Sequence, residues 1–595
     1  MFYFAGTSDA GWVVMVDWDE SFDFVVMGSG AAGFCGALRA HDMGLSTIIL
    51  EKSDRYGGSS AMSGGVCWVA NNASMARAGI SDSDEEGLRY LRAITHDEVE
   101  VERLQNFLVE SRRMADYLEA NSHVQFDALT RYTDYYSEAP GARPGGRSME
   151  SRPLNGAKLG KELMNLRLPH PQSQILGKFG IRAKDAHFCI VGNYKTKLFM
   201  MWSLLKYACR FWRRRRWGRD TYLTCGNALM GRLRLSLMER EVPVWLETSV
   251  KSLVEQEGRV VGVVVHRGGR DIRIQARRGV LLAAGGFECN QAMREKYQAA
   301  PVNIDWAAGN RANVGEGIEL GREQGGQLAL MDEAWWTPAT RVPKSDLAWV
   351  LVVEKSLPHG LFVNQKGQRF TNEAAPYIDV VNAMYKDHER TGASVPAWHV
   401  FDATYRHNYV VGPVAPGYAT GGDRGVPRRF RDGKFLHKAD TLSELAEKLG
   451  IEETALLTTV ERFNGFARTG RDLDFARGES ASDRYYGDPR VKPNPALGAV
   501  ETGPFYAVQI VPGDLGTKGG LITDGAGRVL DGHHHPIPGL YAAGNTTASV
   551  MGRTYPGAGG TIAPALTFGF LAAEAACREV SEAPGKHREH AAKVA

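Results

Sequence analysis

A glycine-rich turn between two short apolar segments constrains the fold of this chain more than any other feature. Residues 24–27 (FVVM) predict a strand, and Gly28-Ser29-Gly30-Ala31-Ala32-Gly33 follows it directly. Residues 34–43 have the composition of a helix, and residues 47–50 (TIIL) predict a second strand that ends at Glu51. This order of strand, turn, helix and strand over about 30 residues is typical of a dinucleotide-binding unit in a parallel α/β sheet.

The residues of this turn have separate physical roles in such a unit. Gly28 permits the tight turn after the strand, and Gly30 lets a pyrophosphate approach the backbone at the helix N-terminus. Gly33 allows the helix to pack closely on the strand. The Glu51 carboxylate stands where a ribose hydroxyl is bound, and an acidic residue there argues against a 2′-phosphate on the cofactor.

A second loop of small residues begins a few positions after Glu51 and extends the predicted site. It contains Gly57-Gly58-Ser59-Ser60 and then Ser63-Gly64-Gly65. A loop of this kind can wrap the remainder of a large cofactor that lies along the site. The sequence therefore favours FAD over a nicotinamide dinucleotide.

Segments in the middle and near the C-terminus predict further parts of the same domain. Residues 280–284 (VLLAA) form an apolar run that ends at Gly285-Gly286, and residues 539–545 (GLYAAGN) form another. Residues 557–561 (GAGGT) precede an apolar helix-like run, 562–573, whose first N–H groups would face the pyrimidine end of a flavin. We therefore predict an α/β fold, in which a Rossmann-like FAD-binding domain is built from both chain ends around an inserted α+β catalytic domain.

The predicted domain boundaries follow from this arrangement. The FAD-binding domain comprises residues 20–295, with a basic and apolar insertion near 170–220, and then residues 500–580; the catalytic domain between them, residues 296–499, closes over the flavin. Inside the catalytic domain, residues 361–364 and 367–370 predict a hairpin that leads to Tyr377. Residues 442–466 predict two helices with charged faces.

Three groups of motifs carry a resemblance to a known family. GSGAAG…EKSDRYGGSSAMSGG, LLAAGGF and LYAAGNT…YPGAGGTI resemble the flavoprotein family of fumarate reductase and the 3-ketosteroid dehydrogenases. The C-terminal motifs are similar to those of the Δ1-dehydrogenases, which use non-covalent FAD to introduce a C1–C2 double bond into ring A of a 3-ketosteroid. Residues 57–65 contain no histidine, the residue to which the covalent members of the family attach the flavin there.

The resemblance also implies which residues bind the cofactor. They are Gly28, Gly30, Ala32, Gly33, Glu51, Lys52, Gly58, Ser59, Ser60, Ser63, Gly64, Gly65, Val250, Ala284, Gly285, Gly544, Asn545, Gly560, Thr561 and Ile562.

Local differences from the fumarate reductases point to a neutral substrate. Tyr377 stands where those enzymes have a proton-donating arginine, four positions after Glu373. The segment 511–520 lacks the histidine that those enzymes have before the double glycine, here Gly519-Gly520. Tyr555 stands where they have an arginine that clamps a carboxylate. A dicarboxylate would lose its bidentate partners, whereas a neutral cyclic ketone does not need them.

The resemblance implies four residues for the chemistry. The Tyr555 hydroxyl and the Gly559 N–H would donate hydrogen bonds to the C3 ketone as enolate charge develops. Tyr377 would take the C2 proton with the support of Tyr135, and FAD N5 would receive the C1 hydride. Since a phenol has a pKa of about 10, we expect faster turnover at alkaline pH. Tyr132 and Tyr136 compete with Tyr135 for its role.

Residues 195–219 (KTKLFMMWSLLKYACRFWRRRRWGR) combine dense apolar side chains with Arg213, Arg214, Arg215 and Arg216. The run is too short to span a bilayer, but it is typical of a helix that lies on an anionic membrane surface. That location favours a side-chain-bearing substrate such as cholest-4-en-3-one. The alternative is a core helix with a solvated basic end.

Composition limits the remaining classes of function. The net charge of +3 and the single basic cluster argue against nucleic-acid binding. The seven cysteines form no CxxC pair, so we predict neither a disulfide framework nor a zinc site, and we expect no metal at His533-His534-His535. We see no signal peptide, and residues 1–14 are either an extension or the result of an alternative start at Met15. The predicted location is the cytoplasm, at the inner face of the membrane.

Several alternatives stay open at this point. The nearest is a 3-ketosteroid Δ4-(5α)-dehydrogenase or a dehydrogenase of simpler cyclic ketones. Two more distant alternatives are a fumarate-type reductase and a flavin electron carrier that has no substrate of its own. The electron acceptor that we expect for a dehydrogenase of this kind is a quinone.

Overall fold

A computed structural model describes residues 17–175, 177–190, 194–431 and 433–579, without the side chains of residues 187–190 and 194–197. The expected N-terminal extension 1–14 and the polar residues after 580 lie outside the described residues.

The larger sheet has eight strands and holds the predicted nucleotide-binding unit at its centre. Glu20–Met27 lies between Thr47–Leu50 and Arg270–Leu282 and runs parallel to both. Residues 24–26 and 48–49 are fully buried, as expected for parallel strands that are covered on both faces. Across the sheet the strands are Val244–Trp245, Thr47–Leu50, Glu20–Met27, Arg270–Leu282, Arg259–Arg267 and Thr248–Gln256, with Pro536–Ala542 on Arg270–Leu282 and Arg528–Leu530 beyond it.

The two ends of the chain meet in this sheet. Pro536–Ala542 pairs in parallel with the end of Arg270–Leu282. The first helix, Ala31–Asp42, packs against the last, Ile562–Arg578, so closely that a Cβ at Gly569 would lie 2.3 Å from the Ala32 carbonyl oxygen. The predicted FAD-binding fold built from both chain ends is therefore confirmed.

A second sheet of six strands occupies the middle of the chain. In spatial order it contains Trp349–Val350, Ala334–Thr340, Phe505–Thr517, Ala397–Phe401 and Gly360–Val363, with His437–Ala439 also paired to Phe505–Thr517. Because Phe505–Thr517 pairs with strands from the middle of the chain, the second sheet extends past residue 500. The boundaries 20–295, 296–499 and 500–580 stay a prediction.

One local prediction in this region is wrong and another is confirmed. Gly360–Val363 pairs with Ala397–Phe401 and not with residues 367–370, which form no strand, so the predicted hairpin is absent. The two predicted helices occur as Leu442–Leu449 and Glu453–Thr469.

Four smaller sheets contain the other strands of the described residues. Val66–Trp68, Ser148–Ser151 and Phe126–Ala128 form a three-stranded sheet with Ser148–Ser151 in the centre. The two-stranded pairs are Leu154–Asn155 with Tyr222–Leu223, Gln174–Ile175 with Phe179–Gly180, and Leu328–Ala329 with Gly520–Leu521.

The described helices cover the sheets and form the insertion. They are Ala31–Asp42, Gly58–Met62, Ala73–Arg77, Asp84–Thr95, Val101–Asn121, Glu162–Asn165, Ala183–Ile190, Tyr194–Cys209, Phe211–Trp217, Cys225–Glu239, Gln291–Tyr297, Glu316–Glu323, Tyr377–Thr391, Ala403–Asn408, Gly417–Thr420, Leu442–Leu449, Glu453–Thr469, Ala481–Tyr486 and Ile562–Arg578. Among the described residues, no helix is both long enough and apolar enough to cross a bilayer.

Candidate functional site

The first glycine turn has the geometry of a phosphate-binding turn. Gly28 has a φ of +106°, and a Cβ there would lie 2.3 Å from the Ala283 carbonyl oxygen. A Cβ at Gly33 would lie 2.0 Å from the Gly28 carbonyl oxygen, so this glycine permits the close packing of helix on strand. A Cβ at Gly30 would have Ser60 Oγ as its nearest neighbour, at 3.6 Å, so the backbone at Gly30 is open to the cavity. The turn leaves room for a pyrophosphate where the sequence predicts one.

Glu51 lies at the carboxyl end of Thr47–Leu50 and is held in place by its neighbours. Its carboxylate accepts hydrogen bonds from the Ser29 hydroxyl, the Ser29 N–H at 3.3 Å and the Ser53 N–H at 2.9 Å. The Ser29 hydroxyl also accepts the Gly57 N–H at 3.0 Å. These contacts tie the first glycine turn to the second loop and fix the carboxylate at the cavity wall.

The second loop contains a short helix, Gly58–Met62, that packs against the rest of the cofactor groove. Ser60 Oγ accepts the Ala31 N–H at 3.1 Å. Ser59 Oγ accepts the Asn310 N–H at 2.9 Å, so the loop is anchored to the segment that follows the strand Arg270–Leu282. Lys52 pairs with Glu316 at 2.5 Å. The small residues of the second loop thus form part of the cavity wall.

A single cavity of about 1120 Å³ runs from this groove to the tyrosines of the predicted active site. Of the predicted residues it is lined by Gly28, Gly30, Ala32, Glu51, Lys52, Gly58, Ser59, Ser60, Ser63, Gly64, Gly65, Val250, Ala284, Gly285, Gly544, Asn545, Thr561, Ile562, Tyr135, Tyr377, Tyr555 and Gly559. The shape and the open glycine turn fit an extended dinucleotide such as FAD.

Two predicted cofactor residues lie outside the cavity wall. Gly33 packs under the helix, as described above. The Gly560 N–H donates to the Gly557 carbonyl at 3.1 Å, and a Cβ at Gly560 would lie 2.9 Å from Pro556 Cδ. Gly560 therefore shapes the turn that carries Tyr555, and its contact with the cofactor stays a prediction.

Tyr135, Tyr377 and Tyr555 come together from three distant parts of the chain. Their ring centroids are 5.2 Å apart for Tyr135 and Tyr377, 5.3 Å for Tyr135 and Tyr555, and 6.4 Å for Tyr377 and Tyr555. Tyr377 is the first residue of the helix Tyr377–Thr391, directly after Pro376. All three side chains are buried and line the cavity.

The tyrosine hydroxyls form a hydrogen-bonded network. The Tyr377 and Tyr486 hydroxyl oxygens are 3.3 Å apart, and Tyr486 also bonds to the Tyr132 hydroxyl. Tyr135 is hydrogen-bonded to Tyr377 and to Tyr132. Tyr132 therefore belongs to the same hydroxyl network as Tyr135. The Tyr136 hydroxyl lies outside it and donates to the Asp379 carboxylate at 3.0 Å.

Tyr486 belongs to this site and was missed in the sequence. It is the last residue of the helix Ala481–Tyr486 and lies in no motif that resembles the family. The one available signal was the tandem Tyr485-Tyr486 in a polar stretch.

Burial controls the ionisation of these phenols. It raises the pKa of Tyr135, Tyr377 and Tyr555 well above the ordinary value. Hydrogen bonds from Tyr486 and Tyr135 act in the opposite direction on the pKa of Tyr377, and a hydrogen bond with Thr561 does so for Tyr555. The resting site therefore holds neutral hydroxyls that are linked for proton transfer.

The turn at residues 555–559 presents two hydrogen-bond donors to the cavity. The Tyr555 ring packs on Trp335 with centroids 4.9 Å apart. Among the described residues, the Gly559 N–H has no acceptor. Gly559 has a φ of +96°, and a Cβ there would lie 2.6 Å from the Cys67 backbone. A glycine is thus required at this donor.

The carbonyl of Pro556 fixes this turn to the Tyr135 segment. It accepts the Tyr90 hydroxyl at 2.6 Å and the Tyr135 N–H at 3.1 Å. Tyr135 and Tyr555 are therefore held at a set separation by the backbone. Trp335 and Trp336 are buried behind them and do not line the cavity, so their role is packing.

The cavity also has an outer arm with apolar residues in its wall. We define this outer arm by residues that line it and lie away from the glycine turns: Val350, Val352, Val353, Val410, Pro413, Val414, Met200 and Leu204. Met200 and Leu204 belong to the helix Tyr194–Cys209 in the basic segment. Arg182, which also lines the cavity, is paired with Asp127 and Glu150, so it is not free to clamp a carboxylate.

The helices of the basic segment expose large apolar side chains. Met201 is 63% exposed and Trp212 is 77% exposed. The other exposed members are Leu198, Trp202, Leu204, Leu205 and Phe211. Arg213, Arg215 and Arg216 are exposed beside them. This observation rules out the alternative of a core helix.

Comparisons with known proteins match nearly the whole chain. The family model for the FAD binding domain matches residues 23–562. The 3-oxosteroid 1-dehydrogenase of Mycolicibacterium smegmatis is 42% identical over 93% of this chain and 97% of that protein. The 4-oxocyclohexanecarboxylate 2-dehydrogenase of Sinomonas cyclohexanicum is 34% identical over 93% and 92%.

A solved structure is similar along its entire length. It is the 3-ketosteroid Δ1-dehydrogenase from Sterolibacterium denitrificans in complex with 1,4-androstadiene-3,17-dione. That chain is 44% identical, with a TM-score of 0.90, over 94% of this chain and 99% of its own.

Proposed function

The chain belongs to the flavoprotein family that the FAD binding domain defines, and from that premise we propose that it is a 3-ketosteroid Δ1-dehydrogenase. FAD is its cofactor, and the motif-based resemblance to this family is confirmed. The observation that carries the proposal is the group of three tyrosines in the cavity wall, next to a glycine N–H that has no acceptor among the described residues.

The reaction removes two hydrogens from ring A of a 3-ketosteroid. The C2 hydrogen becomes acidic enough to leave when the C3 oxygen receives hydrogen bonds. We assign these bonds to the Tyr555 hydroxyl and the Gly559 N–H, which face the cavity from one rigid turn. In this geometry the donors act most strongly as negative charge develops on the oxygen.

We assign proton removal to Tyr377. Because burial raises the pKa of its phenol, Tyr377 must pass its own proton to a neighbour before its oxygen accepts the C2 proton. Tyr135 and Tyr486 are the neighbours that bond to it, and Tyr132 continues the network from both. Tyr486 thus adds a second route to the one that the sequence predicts through Tyr135.

FAD supplies the acceptor for the C1 hydride when it is bound. The residues that would hold it are the predicted ones that line the cavity. Gly28, Gly30 and Ala32 would contact the pyrophosphate, Glu51 the ribose, and the start of the helix Ile562–Arg578 the flavin. No residue in the 57–65 loop supports a covalent link, so we propose that the cofactor is non-covalent.

The outer arm favours a steroid over a small cyclic ketone. One relative acts, by its name, on 4-oxocyclohexanecarboxylate, a single ring. Here the cavity wall also includes the apolar residues of the outer arm, which a steroid would contact more fully than a single ring. The same arm would receive the side chain of a sterol ketone such as cholest-4-en-3-one.

We further propose that the basic segment 195–219 binds the surface of an anionic membrane from the cytoplasmic side. Its exposed apolar residues and arginines match an interfacial helix, and its Met200 and Leu204 line the outer arm. A sterol ketone would then enter from lipid without crossing water. A quinone dissolved in the same membrane is the electron acceptor that this location favours.

The experiment for the main proposal follows the flavin absorbance of the purified protein without oxygen. Androst-4-ene-3,17-dione and cholest-4-en-3-one should each bleach it, and fumarate should not reoxidise the chemically reduced protein. Absence of bleaching by both steroids, together with reoxidation by fumarate, would replace this proposal with a fumarate-type reductase.

A further inference from the structure

A buried lysine lies behind the ring of Tyr377. Lys355 is 2% exposed and belongs to the short turn Glu354–Ser356. Its Nζ is 5.3 Å from the centroid of the Tyr377 ring. Neither the motifs nor the cavity wall single out this residue, because it approaches the tyrosine from the protein side.

Lys355 holds the chain directly before Tyr377. Its Nζ donates to the Ala375 carbonyl at 2.5 Å and to the Glu373 carbonyl at 3.1 Å, and it lies 3.4 Å from Ser356 Oγ. These carbonyls belong to the turn from which the helix Tyr377–Thr391 begins. The lysine therefore braces the turn from which that helix, and Tyr377 with it, starts.

The positive charge of Lys355 has no direct counter-ion. All three of its hydrogen-bond partners are neutral, and it makes no ion pair within the described ranges. The surrounding carboxylates are occupied by other donors: Glu373 by Arg369 and Arg477, Asp483 by Asn372 and the Gly478 N–H, and Asp379 by Tyr136. The Tyr377 ring is the electron-rich group that the ammonium faces.

We propose that Lys355 is a positioning residue that places Tyr377 and stabilises the negative charge on its phenol. This inference rests on the proposed function, in which Tyr377 accepts the C2 proton. The phenol first gives its proton to the hydroxyl network, and the resulting phenolate then takes the proton from C2. The charge of a phenolate is delocalised over its ring, and the Lys355 Nζ is 5.3 Å from the centroid of that ring. A nearby cation favours the ionised form of an acid, so Lys355 raises the fraction of Tyr377 that is ready to react.

The charges around Lys355 act on it in both directions. Burial lowers the pKa of Lys355 to about 7; Asp483 raises it, Arg477 lowers it, and Asp379 and Glu373 raise it. Two backbone carbonyls and one hydroxyl provide an acceptor for each of the three ammonium protons, which favours the protonated form.

The test compares K355M and K355Q with the wild-type holoenzyme. Methionine removes both the charge and the donor, whereas glutamine removes the charge and keeps an amide donor for the two carbonyls. The rate of anaerobic flavin reduction by androst-4-ene-3,17-dione is measured from pH 6 to pH 10. We expect both variants to be slower by about tenfold at pH 6, where the Lys355 ammonium of the wild type is protonated, since one unit of phenol pKa changes the ionised fraction tenfold.

The pH dependence separates an electrostatic from a structural role. Loss of the cation should move the rise of the rate to higher pH, so that both variants approach the wild type under alkaline conditions. The inference is overturned if K355Q reacts within twofold of the wild type, or if both variants are slowed equally at every pH. K355Q carries the comparison if K355M binds FAD poorly.

The wild type distinguishes the two proposals. If the steroid does not reduce the wild-type flavin, the proposed function fails. If the wild type is reduced and the variants match it, only the role of Lys355 fails.

Discussion

The hydroxyl oxygen of Tyr377 lies 3.3 Å from that of Tyr486, a residue 109 positions further along the chain. This contact joins the proposed base to Tyr132, which bonds to Tyr486 in turn. Tyr377 thus has two hydroxyl partners, Tyr135 and Tyr486, and either of them can receive its proton.

Replacing Tyr486 with phenylalanine should slow turnover and leave binding almost unchanged. The variant removes one route for the proton of Tyr377 but keeps the ring, so we expect kcat to fall about ten- to hundredfold with little change in KM. Y136F is the matched control, because Tyr136 donates to Asp379 outside the network. Equal effects of the two substitutions on kcat would contradict a role for Tyr486.

Replacing Tyr555 with phenylalanine removes a donor to the C3 ketone. Loss of one such donor costs about 10²–10³ in kcat in comparable sites. The ring still packs on Trp335, so the FAD content and the melting temperature should stay at wild-type values. Steady-state turnover of a 3-ketosteroid by Y555F with full FAD content measures the effect, and unchanged turnover would contradict the mechanism.

Replacing Gly559 with alanine should damage both the site and the fold. Its φ of +96° and the 2.6 Å approach to the Cys67 backbone leave no room for a Cβ. We expect loss of steroid turnover together with a lower melting temperature. G465A is the control, because nothing lies within 4 Å of a Cβ there and Gly465 is inside the helix Glu453–Thr469. It should raise stability by about 0.5–1 kcal/mol. A G559A protein with normal turnover and stability would contradict the structure of this turn.

Replacing Glu288 with glutamine should change how stability depends on pH. Glu288 is fully buried, and burial and then Asp514 raise the pKa of its carboxyl group to about 7. A raised pKa stabilises the folded wild type at low pH, and this contribution is lost as pH rises from about 4.5 to about 7.

Glutamine keeps the acceptor for Asn313, which bonds to Glu288 at 2.6 Å, and does not titrate. The melting temperature of E288Q should therefore rise relative to the wild type across this window and then keep a constant offset. Thermal melts of the FAD-loaded proteins at several pH values measure it. An offset that is the same at pH 4.5 and pH 8 would show that the Glu288 carboxyl does not titrate in this range.

Replacing Trp212 with serine should weaken binding to membranes. Trp212 is 77% exposed in the basic segment, whereas Leu473, which is 74% exposed elsewhere, provides the control L473S. In sedimentation with vesicles that contain anionic lipid, W212S should bind less than both the wild type and L473S. Binding of the wild type should also fall with added salt, because the arginines are exposed. Equal sedimentation of W212S and L473S would contradict the proposed contact.

Local patterns in the sequence predict the nucleotide-binding unit well. The strand, turn and helix at 24–43 occur as Glu20–Met27 and Ala31–Asp42, because the glycine spacing and the apolar run determine them within one short segment. The predicted hairpin fails because the partner of Gly360–Val363 is Ala397–Phe401, more than thirty residues later. Pairing at that separation leaves no pattern near the strand itself.

The residues of the candidate site likewise fall into those that a local motif predicts and those that it does not. Tyr555, Gly559 and Tyr377 lie in motifs, so the sequence identifies them, and the structure brings them together. Tyr486 and Lys355 have no motif, and only the packing of the middle segment against the tyrosines shows their proximity. Gly560 illustrates the opposite case, because its motif position predicts a cofactor contact, whereas its N–H is used inside the turn.

The shared carbonyl of Pro556 has a consequence for how such enzymes can diversify. Tyr90 and Tyr135 both bond to it, so the donors for the ketone form one unit with the flavin cradle. Tyr377, Tyr486 and Lys355 all come from the inserted middle of the chain. In the proposed mechanism, substitutions in this middle part would therefore alter the base and its surroundings while the turn that activates the ketone, and Tyr135 beside it, stay unchanged.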